Sequence, residues 1–245
     1  MTILRARLWL IAALALSCAS AAMAQDMSIS LGEGGSITAR TIQLIALVTV
    51  LSLAPGIAIM ITCFPFIVTV LSILRTGIGL QQSPPNMLIV SLALFLTYFV
   101  MEPVLTEAWT QGIAPLIEET VPLEEALLRA IAPFRGFMAQ RLDPDTFTAM
   151  AALRPDAAQI QSGPEAPLSV LIPSFMLSEI ARAFQIGFLI FLPFLIIDLV
   201  IAAILMSMGM MMVPPAIVSL PFKLAFFVIA DGWTLLAEAL VRGYM

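Results

Sequence analysis

The chain has 245 residues, 61% of them hydrophobic and only 11% charged, with a mean hydropathy of +1.05 and a formal charge of −5. That is too little polar surface to cover a soluble globule of this length, so the composition points to a membrane protein. The absence of histidine excludes a Ser-His-Asp triad, a Cys-His pair and the common zinc sites, and the acidic balance offers no surface for nucleic acid.

Residues 1–24 read as a cleavable secretory leader. Arg5 and Arg7 form its basic start, Leu8 to Leu16 its apolar stretch, and Ala22-Met23-Ala24 a small-x-small cleavage site before Gln25. A lipoprotein-type signal ending at Cys18 is the alternative, but Ala15-Leu16-Ser17 is a poor lead-in. Cleavage puts the mature start outside and leaves Cys63 as the sole cysteine, so no intramolecular disulfide can form. Residues 25–41 are then a short external segment.

Four apolar segments follow, at 42–74, 87–106, 184–208 and 216–241, each near the length that crosses a hydrocarbon core of about 30 Å. They pair as two hydrophobic hairpins, 42–106 and 168–245, around a middle domain at 107–167. If each segment crosses once, the 75–86 and 206–222 turns face the cytoplasm and 107–167 faces the periplasm. Arg75 and Lys223 at the short turns agree with the positive-inside rule.

The first hairpin is interrupted at Pro55-Gly56, Pro65 and Pro103. Its polar turn, Arg75 to Asn86, has glycines without Walker or dinucleotide-binding spacing, and Ser83 with Pro84 is expected to open the next helix. In the middle domain, Thr120-Val121-Pro122 followed by Glu124 and Glu125 marks a helix start, and Leu123, Leu127, Ile131 and Phe134 recur at helical spacing. Pro133 is expected to kink or end that helix. Asp143 with Pro144 marks a second start, as cap and first helical position, and 161–167 reads as a loop.

The second hairpin carries the candidate functional residues. Asp198 lies in the apolar run Phe194 to Ile201, where an unpaired carboxylate is costly or takes up a proton. An ion pair of Lys223 with either Asp198 or Glu179 is the expected structural solution, and a proton-coupled transport site at Asp198 is the alternative. Met206, Met208, Met210, Met211 and Met212 crowd a Gly- and Pro-marked break that runs into Val213-Pro214-Pro215. Long, polarizable side chains on or beside irregular backbone describe a deformable apolar seal, although methionine is also common filler in apolar helices. Helices broken this often, again at Gly187, Pro193 and Pro221, fit a protein whose spans are mostly covered by other subunits.

Several stretches together carry a family resemblance: Phe64 to Arg75, Gly79-Leu80-Gln81-Gln82 with Pro84-Pro85-Asn86, Pro173 to Glu179, Ala183 to Phe188, Met206 to Lys223, and Asp231-Gly232-Trp233. Over 60–106 and 170–235 the chain resembles the FliP family, the P subunit of the flagellar type III export gate. The resemblance implies an all-α integral membrane protein of two broken-helix hairpins separated by a helical periplasmic domain. It implies about five copies in a helical pore complex with the FliQ and FliR subunits in the bacterial inner membrane. It further implies no enzymatic activity and no cofactor, unfolded flagellar subunits as cargo, and the five methionines as a gasket around the pore. The leader and the middle domain favour the flagellar branch over the corresponding subunit of virulence-type injectisomes. A proton-coupled secondary transporter is the remaining alternative.

Overall fold

The computed structural model describes residues 37–80, 84–155, 160–210 and 212–244, and every regular element among them is helical. The expected leader at 1–24 and Met211 lie outside the described residues. By its contacts the chain forms two units, 1–51 and 52–245. The described part of the first is the start of helix α1 (Ile37–Met60), an apolar stretch with Ile45, Leu47 and Leu51 exposed.

The second unit is organised on two helices, α2 (Phe64–Ile78) and α7 (Leu168–Ser207). The expected 42–74 segment is interrupted at residues 61–63, because Pro65 sits at the start of α2, where no backbone donor is needed. Thr62 closes the break: its hydroxyl donates to the Ile59 carbonyl at 2.9 Å and accepts from the Phe64 amide at 3.4 Å. In α2, Phe66, Ile67, Val70, Leu71, Leu74 and Ile78 form one buried stripe. The hydroxyls of Thr69, Ser72 and Thr76 each donate to the carbonyl four residues back, at 2.7, 2.7 and 3.0 Å. No polar atom of these three side chains then asks for water, which suits a helix in apolar surroundings.

Helix α3 (Asn86–Ala108) runs on through a π-helical turn (Trp109–Ile113) into α4 (Ala114–Ile117). It opens at Asn86, two residues past Pro84, and Ser83 lies outside the described residues. Pro84 is itself followed by a proline, which pushes it out of the helical region, and extended Pro85 caps the helix instead. Arg75 donates to the Asn86 side chain and closes the turn. In the middle region lie α5 (Leu123–Arg141) and α6 (Pro144–Ala152). Of the two outcomes expected at Pro133, a kink or an end, the structure excludes the end, because helix α5 continues through it. Its buried Ala126 and Met138, flanked by half-buried Phe134 and Phe137, pack on α3, the π-helical turn and α7, and this burial offsets the lost hydrogen bond.

At 40 residues α7 is about 60 Å long, twice a hydrocarbon core. Its first half carries Ser174, Ser178, Glu179 and Arg182 and packs on α5 and α6, whereas its second half carries Asp198 as the one charged residue. The apolar stretch expected at 184–208 is thus the end of a longer rod. Helix α8 (Pro215–Ile229) returns along α7, and α9 (Gly232–Arg242) leaves it at a 62° bend on Asp231, which adopts a left-handed conformation. Trp233 caps the bend edge-on to Phe227.

Two hydrophobic clusters result. One joins α2, α3, α7, α8 and α9; the other joins α5 and α6 to the first half of α7, around Met138, Phe147, Leu171 and Phe175. Yet Phe95, Tyr98 and Phe99 on α3, Phe184, Phe188, Ile196 and Leu199 on α7, and Phe222, Phe226 and Ile229 on α8 remain exposed. The runs Asn86–Ile117 and Leu168–Ser207 are each long and apolar enough to cross a bilayer, and two broken helix pairs qualify when each pair is taken as one span.

Candidate gate loop and its buried charge pair

Helix α7 ends in a Schellman turn. The Gly209 amide donates to the Met206 carbonyl at 3.1 Å and the Met210 amide to the Leu205 carbonyl at 2.9 Å, the two bonds that satisfy the last carbonyls of a helix. The motif needs a left-handed residue after the cap, and Gly209 supplies it at φ 73°. Pro214 and Pro215 then reopen the helix as α8. Between these two boundaries the side chains of Met206, Met208, Met210 and Met212 project outward, Met212 to 98% of its surface. Large apolar side chains held on a stiff, hydrogen-bonded turn without a covering partner form a surface that must be buried by something else.

About 14 Å down α7 from the loop, a charge pair ties the hairpin together. Lys223 Nζ donates to Asp198 Oδ2 at 2.6 Å and to the Gly77 carbonyl at 3.0 Å, while Ser219 donates to Asp198 Oδ1 at 2.5 Å. The Lys223 side chain is 6% exposed and that of Asp198 32%. Three elements meet here: α7 brings the acid, α8 the lysine and serine, and the last turn of α2 its carbonyl end, where a cation is favoured. Phe194 packs against Phe226 and Phe227 beside the pair, and the ammonium is buried. Closer to the middle of α7, Gly187 gives α2 its approach: a Cβ there would lie 2.4 Å from Ile73 Cδ1.

Glu179 is not a partner of Lys223. It is fully buried one hydrophobic stretch away, where its Oε1 accepts from Arg141 Nε at 3.1 Å and from Arg182 at 3.3 Å, and its Oε2 accepts from the Tyr244 hydroxyl. The structure therefore brings Asp198 and Lys223 together and gives Glu179 a separate cluster. Arg182, at i+3 from Glu179, was findable from helical spacing. Arg141 and Tyr244 come from distant parts of the chain and carry no local signal. Among the described residues no group of three or more His, Cys, Asp or Glu side chains could hold a metal ion.

Apolar helices in broken pairs, a charge pair buried between them and exposed methionines at a helix end define an all-α membrane protein with much uncovered apolar surface. The FliP family model matches residues 47–240. The protein named flagellar biosynthetic protein FliP of Caulobacter vibrioides is 52% identical over 234 residues, which cover 94% of this chain and 88% of that one. Those of the same name from Agrobacterium fabrum and Bacillus subtilis are 48% and 45% identical, over 86% and 83% of this chain and 86% and 92% of theirs. This chain belongs to the FliP family.

Proposed function

We propose that this protein is a core subunit of the flagellar type III export gate, a non-enzymatic channel component through which unfolded flagellar subunits cross the inner membrane. Several copies, together with FliQ and FliR subunits, surround the channel. Met206, Met208, Met210, Met211 and Met212 from each copy converge to seal it, and the region 107–167 lies in the periplasm.

One observation carries this reading: the side chains of Met206, Met208, Met210 and Met212 stand exposed around a helix end whose Gly209 and Met210 amides are bonded back to α7. Flexible thioethers on a firm base can close around an unfolded chain of any sequence and reclose behind it, because Met fills irregular gaps without a fixed rotamer. The Asp198–Lys223 pair holds that base by joining the two arms of the hairpin to α2. The many uncovered apolar side chains on α3, α7 and α8 support burial against neighbouring subunits and lipid.

The test replaces all five methionines by alanine in cells and measures small-ion leakage across the inner membrane alongside motility. Shorter side chains widen the constriction, so leakage rises while the subunit still assembles. A variant that assembles and is as tight as wild type would place the seal elsewhere.

A further inference from the structure

Tyr244 lies two residues past the end of α9, yet its side chain reaches back into the core and touches three helices that are far apart in sequence. Its ring meets Phe66 of α2 edge-on with centroids 5.5 Å apart, and stacks on Phe137 of α5 at 6.1 Å and 17°. The Arg141 guanidinium lies over the same ring, 4.0 Å from its centroid, and the hydroxyl donates to Glu179 of α7. Arg141 completes the arrangement by donating Nε to Glu179 and NH1 to the Gly243 carbonyl, the latter at 2.7 Å.

The backbone that carries this side chain is at the surface. Arg242 and Gly243 are exposed, and residues 243–244 form a turn held by single bonds to Ala239 and Val241. The contact can thus be withdrawn without unwinding a helix. Its withdrawal has a defined consequence. Glu179 loses the Tyr244 hydroxyl, Arg141 loses both the ring under it and the Gly243 carbonyl, and the α5–α7 junction keeps the Arg141–Glu179 pair and the edge-on Phe137–Phe175 contact. Cys63, fully buried, belongs to the same cluster of side chains as Phe66 and Tyr244.

We propose that Gly243–Tyr244 is a releasable strap that locks α5, the main helix of the 107–167 region, onto α2 and α7. When closed it holds Glu179 and Arg141 in register. When open it frees α5 and exposes Cys63.

Cys63 serves as the built-in reporter. In the full-length chain with Cys18→Ser, purified in detergent, alkylation of Cys63 by N-ethylmaleimide is followed for wild type, Tyr244→Phe and Tyr244→Ala, with amide exchange along α5 and helix content measured in parallel. Tyr244→Ala is expected to label at least tenfold faster at unchanged helicity, with faster exchange at 134–141. Tyr244→Phe, which keeps the ring but not the hydroxyl, falls between. The proposal is overturned if Tyr244→Ala protects Cys63 as well as wild type does. It is overturned equally if Tyr244→Ala loses helix while Tyr244→Phe matches wild type in both labelling and α5 exchange, since Tyr244 would then be ordinary core packing.

Discussion

Removing one member of the Asp198–Lys223 pair should destabilise the protein unequally depending on which member goes. In Asp198→Asn the amide can turn its oxygen to Lys223 and its nitrogen to the Ser219 hydroxyl, but it carries no charge. The ammonium, 6% exposed, is left without a counter-ion. In Lys223→Met the residual carboxylate keeps the Ser219 hydroxyl and, being 32% exposed, reaches solvent. Breaking a fully buried pair costs about 3–5 kcal/mol, so the Asn variant should lose about 3 kcal/mol and the Met variant, discounted for solvent, about 2 kcal/mol. The first figure is roughly a hundredfold in the ratio of folded to unfolded protein. Unfolding titrations in mixed micelles measure both, and the variant Asp198→Asn/Lys223→Met completes a double-mutant cycle. Because neither unpaired charge remains, the double variant should be more stable than the sum of the singles by about 1–3 kcal/mol. Singles as stable as wild type, or a strictly additive double, would refute the pairing argument. An Asp198→Asn variant that assembles normally yet abolishes a proton-dependent flux would assign the carboxylate to transport instead.

Gly187→Ala drives a methyl group into Ile73 and should cost about 1–3 kcal/mol, partly recovered by Ile73→Val, which removes the closest atom; neutrality of the single variant would mean α2 and α7 do not approach as described. Gly209→Ala meets no atom within 4 Å, so its expected loss of about 1–2 kcal/mol is left-handed backbone strain alone, read as faster amide exchange at Met210 and milder in Gly209→Asn. The Asp143 carboxylate is held below its ordinary value of 3.8 chiefly by the Thr146 amide and then by the Thr146 hydroxyl. A depressed folded value means the cap stabilises α6 fully above that pH and is lost as pH falls through the lowered one. The protection factor of the Thr146 amide, the unstructured exchange rate at the same pH divided by the observed one, should therefore fall under acid in wild type, be low at every pH in Asp143→Ala, and lose its acid dependence in Asp143→Asn; an unchanged protection factor in Asp143→Ala would rule out the cap.

Much of this protein is legible along the chain because the physics involved is local. A cap at Asp143 depends on the next three residues, and the interruption after Met206 depends on Gly209, Pro214 and Pro215 acting on their own backbone. Apolar runs long enough to cross a bilayer need only be counted, and the methionines are visible as a cluster before any fold is known. The partner of Lys223 is a different kind of fact. Glu179 and Asp198 sit on one continuous helix 19 residues apart, about 28 Å, so a single lysine can reach only one of them. Which one depends on how far α8 folds back along α7, a register set by Phe194, Phe226 and Phe227. The same holds for Pro133, whose effect on α5 was outweighed by burial against distant helices, and for Tyr244, whose partners are Phe66, Phe137, Arg141 and Glu179. Short-range rules act within a turn or two of helix, whereas a buried charge takes whichever counter-ion the packed chain delivers to it.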